Sequence, residues 1–407
     1  MRAVGESGGL PHGGKTPVRG KGGDAGGRSL ASGSRLSNGP TERFKSLFNG
    51  IFDASGRDFL EKPCQEAERR GDMWGRTKSS RASRWVLAAA FVGAIVVGIV
   101  FGPIVVSAAT ARTTAPVSAS NKVASCHVGT SPEGVAYDPA DQEVYVANDG
   151  THNVSVVKAP CTVVATITLP SGSGPDAVAF DPSNNYVYVT GEFSNAVYAI
   201  HGTKLVATIN GFDEPDAIAY DPCELDMVVA NFASDNLSLV NNLRIGIFSD
   251  PVGLGPDGID YNPVTGLLDV VNFASANVTT VYASGVTNSQ SYSVGSEPDA
   301  VAYDAVVGCD FIANWGSDNV TELCVGTFGT YTSSFSGFSE PSSVTWSQAK
   351  LVLYVANFGS GKLDTVAVTP GQNISVAKGI AGSAYDDANG DIYVGDETTG
   401  ILYVYST

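Results

Sequence analysis

From about residue 120 onward, apolar and polar positions alternate in short runs, a period typical of β-strands rather than helices. One run, 143–147, is rich in β-branched and aromatic residues. The run before it, 135–137, ends at Asp138 and Pro139, which together are typical of a tight turn. Two more runs, 153–157 and 163–167, follow at short intervals. This pattern predicts four consecutive strands joined by tight turns.

The group of four predicted strands recurs seven times. Six copies open on a proline, and the residue that ends the first strand marks all seven copies at spacings of 39 to 43 residues. The opening prolines are Pro132, Pro175, Pro215, Pro256, Pro298 and Pro341, and the end markers are Asp138, Asp181, Asp221, Asn262, Asp304, Ser347 and Asp386. A period of about 40 residues made only of strands predicts the blades of a β-propeller, with one four-stranded sheet per repeat.

The ring is predicted to close through the first strand of the repeat region. The seventh repeat supplies only three strands, between Gly382 and Tyr405, before the sequence ends. The missing strand is predicted at 122–128, because this segment aligns with 204–209, which precedes the third proline. Its pairing with the last hairpin would leave no open sheet edge. The predicted fold class is therefore all-β: a seven-bladed β-propeller over 122–407, closed by an N-terminal strand.

The second-strand motifs carry a family resemblance. They include Tyr145-Val146-Ala147-Asn148, Tyr188-Val189-Thr190-Gly191 and Tyr354-Val355-Ala356-Asn357. With the Pro-Asp-Ala and Tyr-Asp-Pro segments, they resemble the YVTN family of β-propeller repeats. That resemblance implies a surface-exposed protein and says little about activity. Related seven-bladed propellers include lactonases, a streptogramin lyase and cofactor-bearing reductases.

Charge divides the sequence into two parts. Residues 1–84 carry 16 Lys and Arg against 9 Asp and Glu, whereas 85–407 carry 8 against 32. Between the two parts, Trp85 to Val106 is free of charged residues over 22 positions, long enough for a helix to cross a bilayer. Basic residues just before this stretch favour a cytoplasmic N-terminus, which would place the propeller outside.

These features predict a disordered basic cytoplasmic tail (1–84), a transmembrane helix (85–106) and a linker (107–121). Ala109-Thr110-Ala111 resembles a small-residue cleavage site, so a cleaved signal peptide is the alternative. The length of the apolar stretch favours an uncleaved anchor. A start at Met73 in place of Met1 is a further hypothesis.

Two cysteines are predicted to form a disulfide. Cys309 and Cys324 are equidistant from the turn at Gly316-Ser317, so they face each other across the predicted hairpin. Cys126, Cys161 and Cys223 are left unassigned, and their odd number predicts at least one free thiol. Five Asn-x-Ser/Thr sequons are candidate glycosylation sites: Asn153, Asn236, Asn277, Asn319 and Asn373. The alternative for the first four, which open the third strand of their repeats, is that the repeat itself requires this pattern.

The residues after the opening prolines predict an acidic ring at one mouth of the central channel. They are Glu133, Asp176, Asp216, Asp257 and Asp299, with Ser342 in the sixth repeat. Converging carboxylates are suited to holding a cation or repelling anions. The alternative, favoured by the repetition, is that each carboxylate bonds to backbone amides. No catalytic residues, metal ligands or cofactor are predicted, because the three histidines beyond residue 121 fall in different parts of their repeats.

Residues 85–407 contain 32 acidic and only 8 basic residues, which excludes nucleic acid as an electrostatic partner of this part of the sequence. The sequence therefore predicts a membrane-anchored extracellular binding module that contacts a protein or glycan of the cell envelope. The first alternative is a propeller enzyme of lactonase or lyase type with a site at the channel mouth. The second is a structural component associated with a surface layer. Clustered aromatic residues in the turns between second and third strands would favour binding, whereas carboxylates converging with a histidine would favour an enzyme.

Overall fold

A computed structural model of the protein describes residues 121–246, 252–282, 289–305, 307–326, 329–367, 374–375 and 379–406. These residues form a seven-bladed β-propeller of four-stranded antiparallel sheets, which confirms the predicted all-β fold. Within this part of the chain, no helix has the length and apolar character needed to span a membrane. The predicted tail, transmembrane helix and most of the linker lie outside the described residues.

Each blade runs from its innermost to its outermost strand in chain order, except that the seventh takes its outermost strand from the start of the propeller. Blades 1 to 3 contain β2 (Pro132–Asp138), β3 (Glu143–Asn148), β4 (Asn153–Lys158) and β5 (Thr162–Thr168); β6 (Pro175–Asp181), β7 (Tyr186–Gly191), β8 (Ala196–His201) and β9 (Lys204–Asn210); β10 (Pro215–Asp221), β11 (Asp226–Asn231), β12 (Asn236–Asn241) and β13 (Arg244–Gly246).

Blades 4 to 7 follow the same order. They contain β14 (Pro256–Asn262), β15 (Leu267–Asn272), β16 (Asn277–Val281) and β17 (Gln290–Ser293); β18 (Pro298–Asp304), β19 (Cys309–Asn314), β20 (Asn319–Gly326) and β21 (Gly329–Ser336); β22 (Pro341–Ser347), β23 (Val352–Asn357), β24 (Lys362–Ala367) and β25 (Ile374–Ser375); β26 (Ile380–Asp386), β27 (Asp391–Asp396), β28 (Ile401–Ser406) and β1 (Asn121–His127). Short 3-10 turns occupy Asp149–Thr151, Glu192–Ser194 and Trp315–Ser317.

The N-terminal strand closes the ring. β1 pairs antiparallel with β28, with Ser125 opposite Tyr403 and His127 opposite Ile401. Each innermost strand contacts the innermost strand of the next blade, and β26 contacts β2. The start and the end of the propeller are therefore held in one sheet, as the count of strands in the seventh repeat predicted.

The polar residue that ends each innermost strand, an Asp in five of the seven blades, accepts hydrogen bonds from the turn that follows it. Oδ1 of Asp138 accepts the backbone N–H of Ala140 at 2.8 Å, and Asp221 and Asp386 accept equivalent bonds at the same distance. This contact replaces a backbone partner within the turn and explains why Asp or Asn recurs at this position. The first turn of each blade therefore lies on the face opposite the opening proline.

Apolar side chains pack between neighbouring blades at all seven interfaces, and at six of them they include a facing pair from the second strands. In each pair, the third residue of one second strand faces the second residue of the next blade's second strand: Tyr145 with Val187, Tyr188 with Met227, Val228 with Leu268, Phe311 with Leu353, Tyr354 with Ile392, and Tyr393 with Val144. Each of these side chains is almost fully buried. These pairs stabilise the ring because a propeller blade packs its two faces only against its neighbours.

The interface between blades 4 and 5 breaks this pattern. Asp269 and Asp310, each 2% exposed, occupy the position that is apolar in the other six interfaces, and their carboxyls are hydrogen-bonded to each other. Oδ1 of Asp310 is buried without a hydrogen-bond partner. Burial raises the pKa of Asp269 to about 7, and burial with repulsion from Asp269 raises the pKa of Asp310 well above its usual value. A third carboxylate, Asp260, lies close by and accepts the backbone N–H of Tyr303 at 2.7 Å.

Candidate functional site

Backbone irregularities turn one residue of each innermost strand toward the channel. In all seven blades the register between first and second strands shifts just after the opening residue, as between Pro132 and Val135 in blade 1. A bulge redirects the side chains beside it. It falls at the second residue of the strand, which is Glu133 in blade 1 and Asp216 in blade 3. The acidic ring therefore faces the channel, together with Ser342 of blade 6 and Ala381 of blade 7.

Three of the five carboxyls of the acidic ring are linked by hydrogen bonds to one another. Asp176 is hydrogen-bonded to Asp216, and Asp216 to Asp257. The structure thus favours neighbouring carboxyls over backbone amides as their partners. Burial, followed by repulsion from neighbouring carboxylates, raises the pKa of Glu133 to about 9 and the pKa of Asp176 well above its usual value. Burial alone raises the pKa of Asp299 to about 7.

A second set of side chains surrounds the ring at the mouth where the turns between second and third strands lie. The residue after each second strand donates its backbone N–H to the carbonyl just before the innermost strand of the same blade, for example Glu192 to Gly174 at 2.9 Å and Trp315 to Glu297 at 2.8 Å. We call these seven equivalent residues the rim: Asp149, Glu192, Phe232, Phe273, Trp315, Phe358 and Glu397.

The accepting residue has a left-handed backbone in every blade. Three of the seven acceptors are glutamates, with φ of 49° at Glu214, 50° at Glu297 and 48° at Glu340. Non-glycine residues adopt this conformation rarely, and at a cost. The repeated geometry shows that the packing of the turns, rather than the choice of residue, sets the position of the rim.

The rim is divided into two arcs. Blades 7, 1 and 2 supply an acidic arc of Glu397, Asp149 and Glu192, and blades 3 to 6 supply an aromatic arc of Phe232, Phe273, Trp315 and Phe358. The ring centroids of Trp315 and Phe358 are 4.9 Å apart, and those of Phe232 and Phe273 are 6.4 Å apart. Burial and then repulsion, from Asp149 for Glu397 and from Glu214 for Glu192, raise the pKa values of Glu397 and Glu192. Since the blades are arranged in a circle, the acidic arc faces the aromatic arc across the mouth.

The ring and part of the rim line one cavity of about 540 Å³. Its wall includes all five carboxyls of the acidic ring, with Trp315, Phe358 and Glu397 from the rim. Arg, Lys and His do not occur among the lining residues that the structure describes. The lining therefore combines aromatic rings with carboxyls that have no basic partner in the lining, all on one concave surface. The volume of this cavity falls within the range of small-ligand sites.

Four of the five sequons take part in hydrogen-bond networks within their own blades. In blade 4, Nδ2 of Asn272 donates to Oδ1 of Asn277 at 2.7 Å and to Oγ1 of Thr279 at 3.0 Å, so both residues of that sequon act as acceptors. Blades 1, 3 and 5 repeat the arrangement at Asn153, Asn236 and Asn319. This network explains the repetition of the pattern without a glycan. Asn373 lies outside the described residues, and glycosylation at all five positions stays a prediction.

Two disulfides cross-link segments of the propeller. Sγ of Cys309 and Sγ of Cys324 are 1.96 Å apart across the hairpin of β19 and β20. Cys126 of β1 is bonded to Cys161 at 1.98 Å, a pairing that the sequence left open. The expected free thiol is absent from the described residues, none of whose cysteines is free. The Cys126–Cys161 bond joins the closing strand of blade 7 to the turn before β5 in blade 1.

The sequence pattern located the acidic ring but did not group the residues of the rim, and it missed Phe232, Phe273 and Phe358. The signal was available, because each of these residues directly follows the Asn that ends a second strand. Alignment at that position would have separated four aromatic copies from three acidic ones. The buried pair of Asp269 and Asp310 was missed because the two occupy different positions in their repeats.

Comparison with known proteins supports the fold. The family model described as "Lactonase, 7-bladed beta-propeller" matches residues 80–222. Among solved structures, virginiamycin B lyase from Staphylococcus aureus aligns with a TM-score of 0.61 at 13% identity, over 70% of this chain and 98% of that one. A streptogramin B lyase aligns at 0.60 with 11% identity, over 69% and 96% of the two chains.

The propeller fold also occurs in structural neighbours of other kinds. Kuenenia stuttgartiensis hydrazine synthase aligns with a TM-score of 0.60 at 15% identity, over 69% of this chain and 98% of that one. No curated protein matches the chain. At these identities the likeness establishes a shared fold, and the chemistry must be argued from the residues of this chain.

Proposed function

We propose that the protein is a membrane-anchored extracellular binding module that contacts a partner in the cell envelope through its mouth, meaning the rim and the acidic ring. The observation that carries this proposal is the clustering of aromatic side chains in the turns between second and third strands. Trp315 and Phe358 are only partly buried, and they lie in contact at one end of a cavity. Partly exposed aromatic rings beside a concave polar surface are typical of binding sites.

The location rests on the sequence. The uncharged stretch 85–106 follows a basic segment and precedes the propeller, an order that favours an outward-facing propeller. The disulfides in blades 1, 5 and 7 agree with an oxidising compartment. A membrane-impermeant amine reagent applied to intact cells would label the exposed Lys158 and Lys204 of the propeller if it is outside. Labelling only after lysis would contradict this placement.

The binding role is tested by cross-linking from two faces of the full-length protein in its cells. A photoreactive phenylalanine analogue is placed at Phe193, which is 63% exposed in the blade 2 turn on the mouth face. The matched control carries the same group at Val264, which is 49% exposed in a turn on the opposite face. We expect a cross-linked envelope component from position 193 and none from position 264. Equal cross-linking from both positions, or none from either, would contradict the proposal.

An enzyme of lactonase or lyase type is the second candidate. The family model over residues 80–222 favours it, as do the five carboxyls that share the cavity. For the Staphylococcus lyase, a variant with one histidine replaced by alanine is described as catalytically inactive. No histidine is among the described residues that line this cavity, which weakens the parallel. Hydrolysis of an aryl lactone that is abolished by Glu133→Gln would favour the enzyme over the binding module.

A further inference from the structure

We propose that the mouth recognises an organic cation, in which an ammonium or guanidinium group is attached to an aromatic or apolar body. This inference rests on the proposed function and names the chemistry of its ligand. It is drawn from the division of the rim into arcs, which repeat symmetry alone would not produce. A ligand with two chemically different ends matches a mouth with two chemically different sides.

The acidic side of the mouth lacks counter-charges. The five carboxyls of the acidic ring and the three of the acidic arc lie at the mouth, and no Lys, Arg or His is present among the described residues that line the cavity. A cationic group in the cavity that donates hydrogen bonds would supply the charge that the lining carboxyls lack.

The aromatic side of the mouth has the geometry that an organic cation requires. Trp315 and Phe358 line the same cavity as the carboxyls, so a single ligand can contact both. A cation within about 6 Å of an aromatic ring face is attracted by the ring quadrupole, most strongly for Trp. The apolar body of the ligand would pack on the same two rings.

Other ligand classes fit the mouth less well. Burial and repulsion raise the pKa values of Glu133 and Asp176, so a bound cation would favour their ionised form and a bound anion would oppose it. A neutral aromatic compound would leave the carboxyls without a compensating charge. A bare metal ion would use the carboxyls and derive little from Trp315 or Phe358. In the described residues, the only set of three ligating side chains that converge within 4.8 Å is Cys309, Glu322 and Cys324, which lies away from the cavity and contains the disulfide.

The test is isothermal titration calorimetry of the full chain with 2-phenylethylammonium. Three comparison ligands isolate its features: 2-phenylethanol lacks the charge, ethylammonium lacks the ring, and calcium chloride supplies an inorganic cation. We expect 2-phenylethylammonium to bind with a stoichiometry of one, and each comparison ligand to bind roughly tenfold more weakly or not at all. Added salt should weaken the binding, because part of the attraction is electrostatic.

Substitutions assign the two ends of the ligand. Trp315→Ala should weaken 2-phenylethylammonium roughly tenfold and ethylammonium less, whereas Glu133→Gln should weaken both cations. If Trp315→Ala does not fold, Phe358→Leu removes a ring face while it preserves apolar volume. The control variants are Phe193→Ala, an exposed aromatic on the same face but outside the rim, and Asp141→Asn, an exposed acid on the opposite face. Both should bind as the parent chain does.

Three results of these titrations would contradict an organic cation as the ligand. Equal affinity for 2-phenylethanol, or calcium binding that is unaffected by Trp315→Ala and displaces 2-phenylethylammonium, would overturn the organic-cation assignment. So would the absence of any heat up to about 10 mM ligand, a concentration at which even a weak site with Kd near 1 mM is filled. Cross-linking from position 193 distinguishes the two levels: if it persists in that case, the binding module stands and only the ligand class is wrong.

Discussion

The buried carboxyl pair between blades 4 and 5 predicts that the propeller loses stability as pH rises. The perturbation is Asp269→Val with Asp310→Leu, which copies the apolar pair Val228 and Leu268 of the preceding interface. In the parent chain the folded-state pKa of Asp269 is raised from 3.8 to about 7, mainly by burial. A carboxyl whose folded-state pKa exceeds its unfolded value adds stability below about pH 4, and this contribution is lost as pH rises through about 7.

The magnitude follows from that displacement. From 3.8 to about 7, at about 1.4 kcal/mol per pH unit, the free energy of unfolding falls by up to about 4 kcal/mol between pH 4 and pH 8. The unpartnered Oδ1 of Asp310 adds a cost of about 1–3 kcal/mol that the apolar pair removes. We therefore expect the double variant to be more stable than the parent, with a gain that grows with pH.

The assay is urea unfolding of the full chain at pH 4.5, 6 and 8, followed by circular dichroism. The difference between parent and variant at each pH isolates the pair from the other carboxyls. Asp141→Leu, which removes an exposed carboxylate, is the control and should show no gain that grows with pH. If the apolar side chains pack badly, the free energy of unfolding of the variant is lower at every pH, but the part of its pH dependence that comes from the carboxyl pair is still lost. A parent and a double variant with the same pH dependence would refute the argument.

Three further substitutions test interactions that stabilise the propeller. Gly382→Ala would place a Cβ 1.9 Å from the carbonyl oxygen of Glu133, so we expect thermal unfolding to show a loss of about 2–4 kcal/mol in the free energy of unfolding. Gly246→Ala, whose Cβ would have ordinary contacts, should change the stability little. Equal effects of the two substitutions would contradict the steric argument. Cys309→Ser opens a disulfide across a separation of 15 residues and should cost about 3 kcal/mol in urea unfolding, a cost that must vanish when both proteins are reduced. Asn272→Ala removes an amide nitrogen whose two hydrogens are shared among four acceptors within hydrogen-bond distance, so a loss of about 2–3 kcal/mol is expected, and a loss below about 0.5 kcal/mol would show that its network is dispensable.

The sequence by itself determined the fold, because the fold is a property of the repeat. Seven copies of one strand pattern, each unable to bury both faces alone, can satisfy their apolar residues only by packing in a ring. The same repetition identified the acidic ring, since one position of one strand carries the acid in five consecutive copies. It also predicted the cysteines that face each other across the blade 5 hairpin, because the two are equidistant from one turn.

Only the tertiary structure decided how the copies differ in function. Phe232 and Glu192 occupy the same position of their repeats and differ only in residue type. The circular arrangement of the blades places the aromatic arc and the acidic arc on opposite sides of the mouth. Asp269 and Asp310 belong to different positions of different repeats, and they meet only because the two blades pack face to face. Such contacts depend on which side of a strand faces which neighbour, and a one-residue change of register reverses it. The sequence therefore specifies the seven blades, and the chemistry of the mouth emerges from their arrangement around the channel.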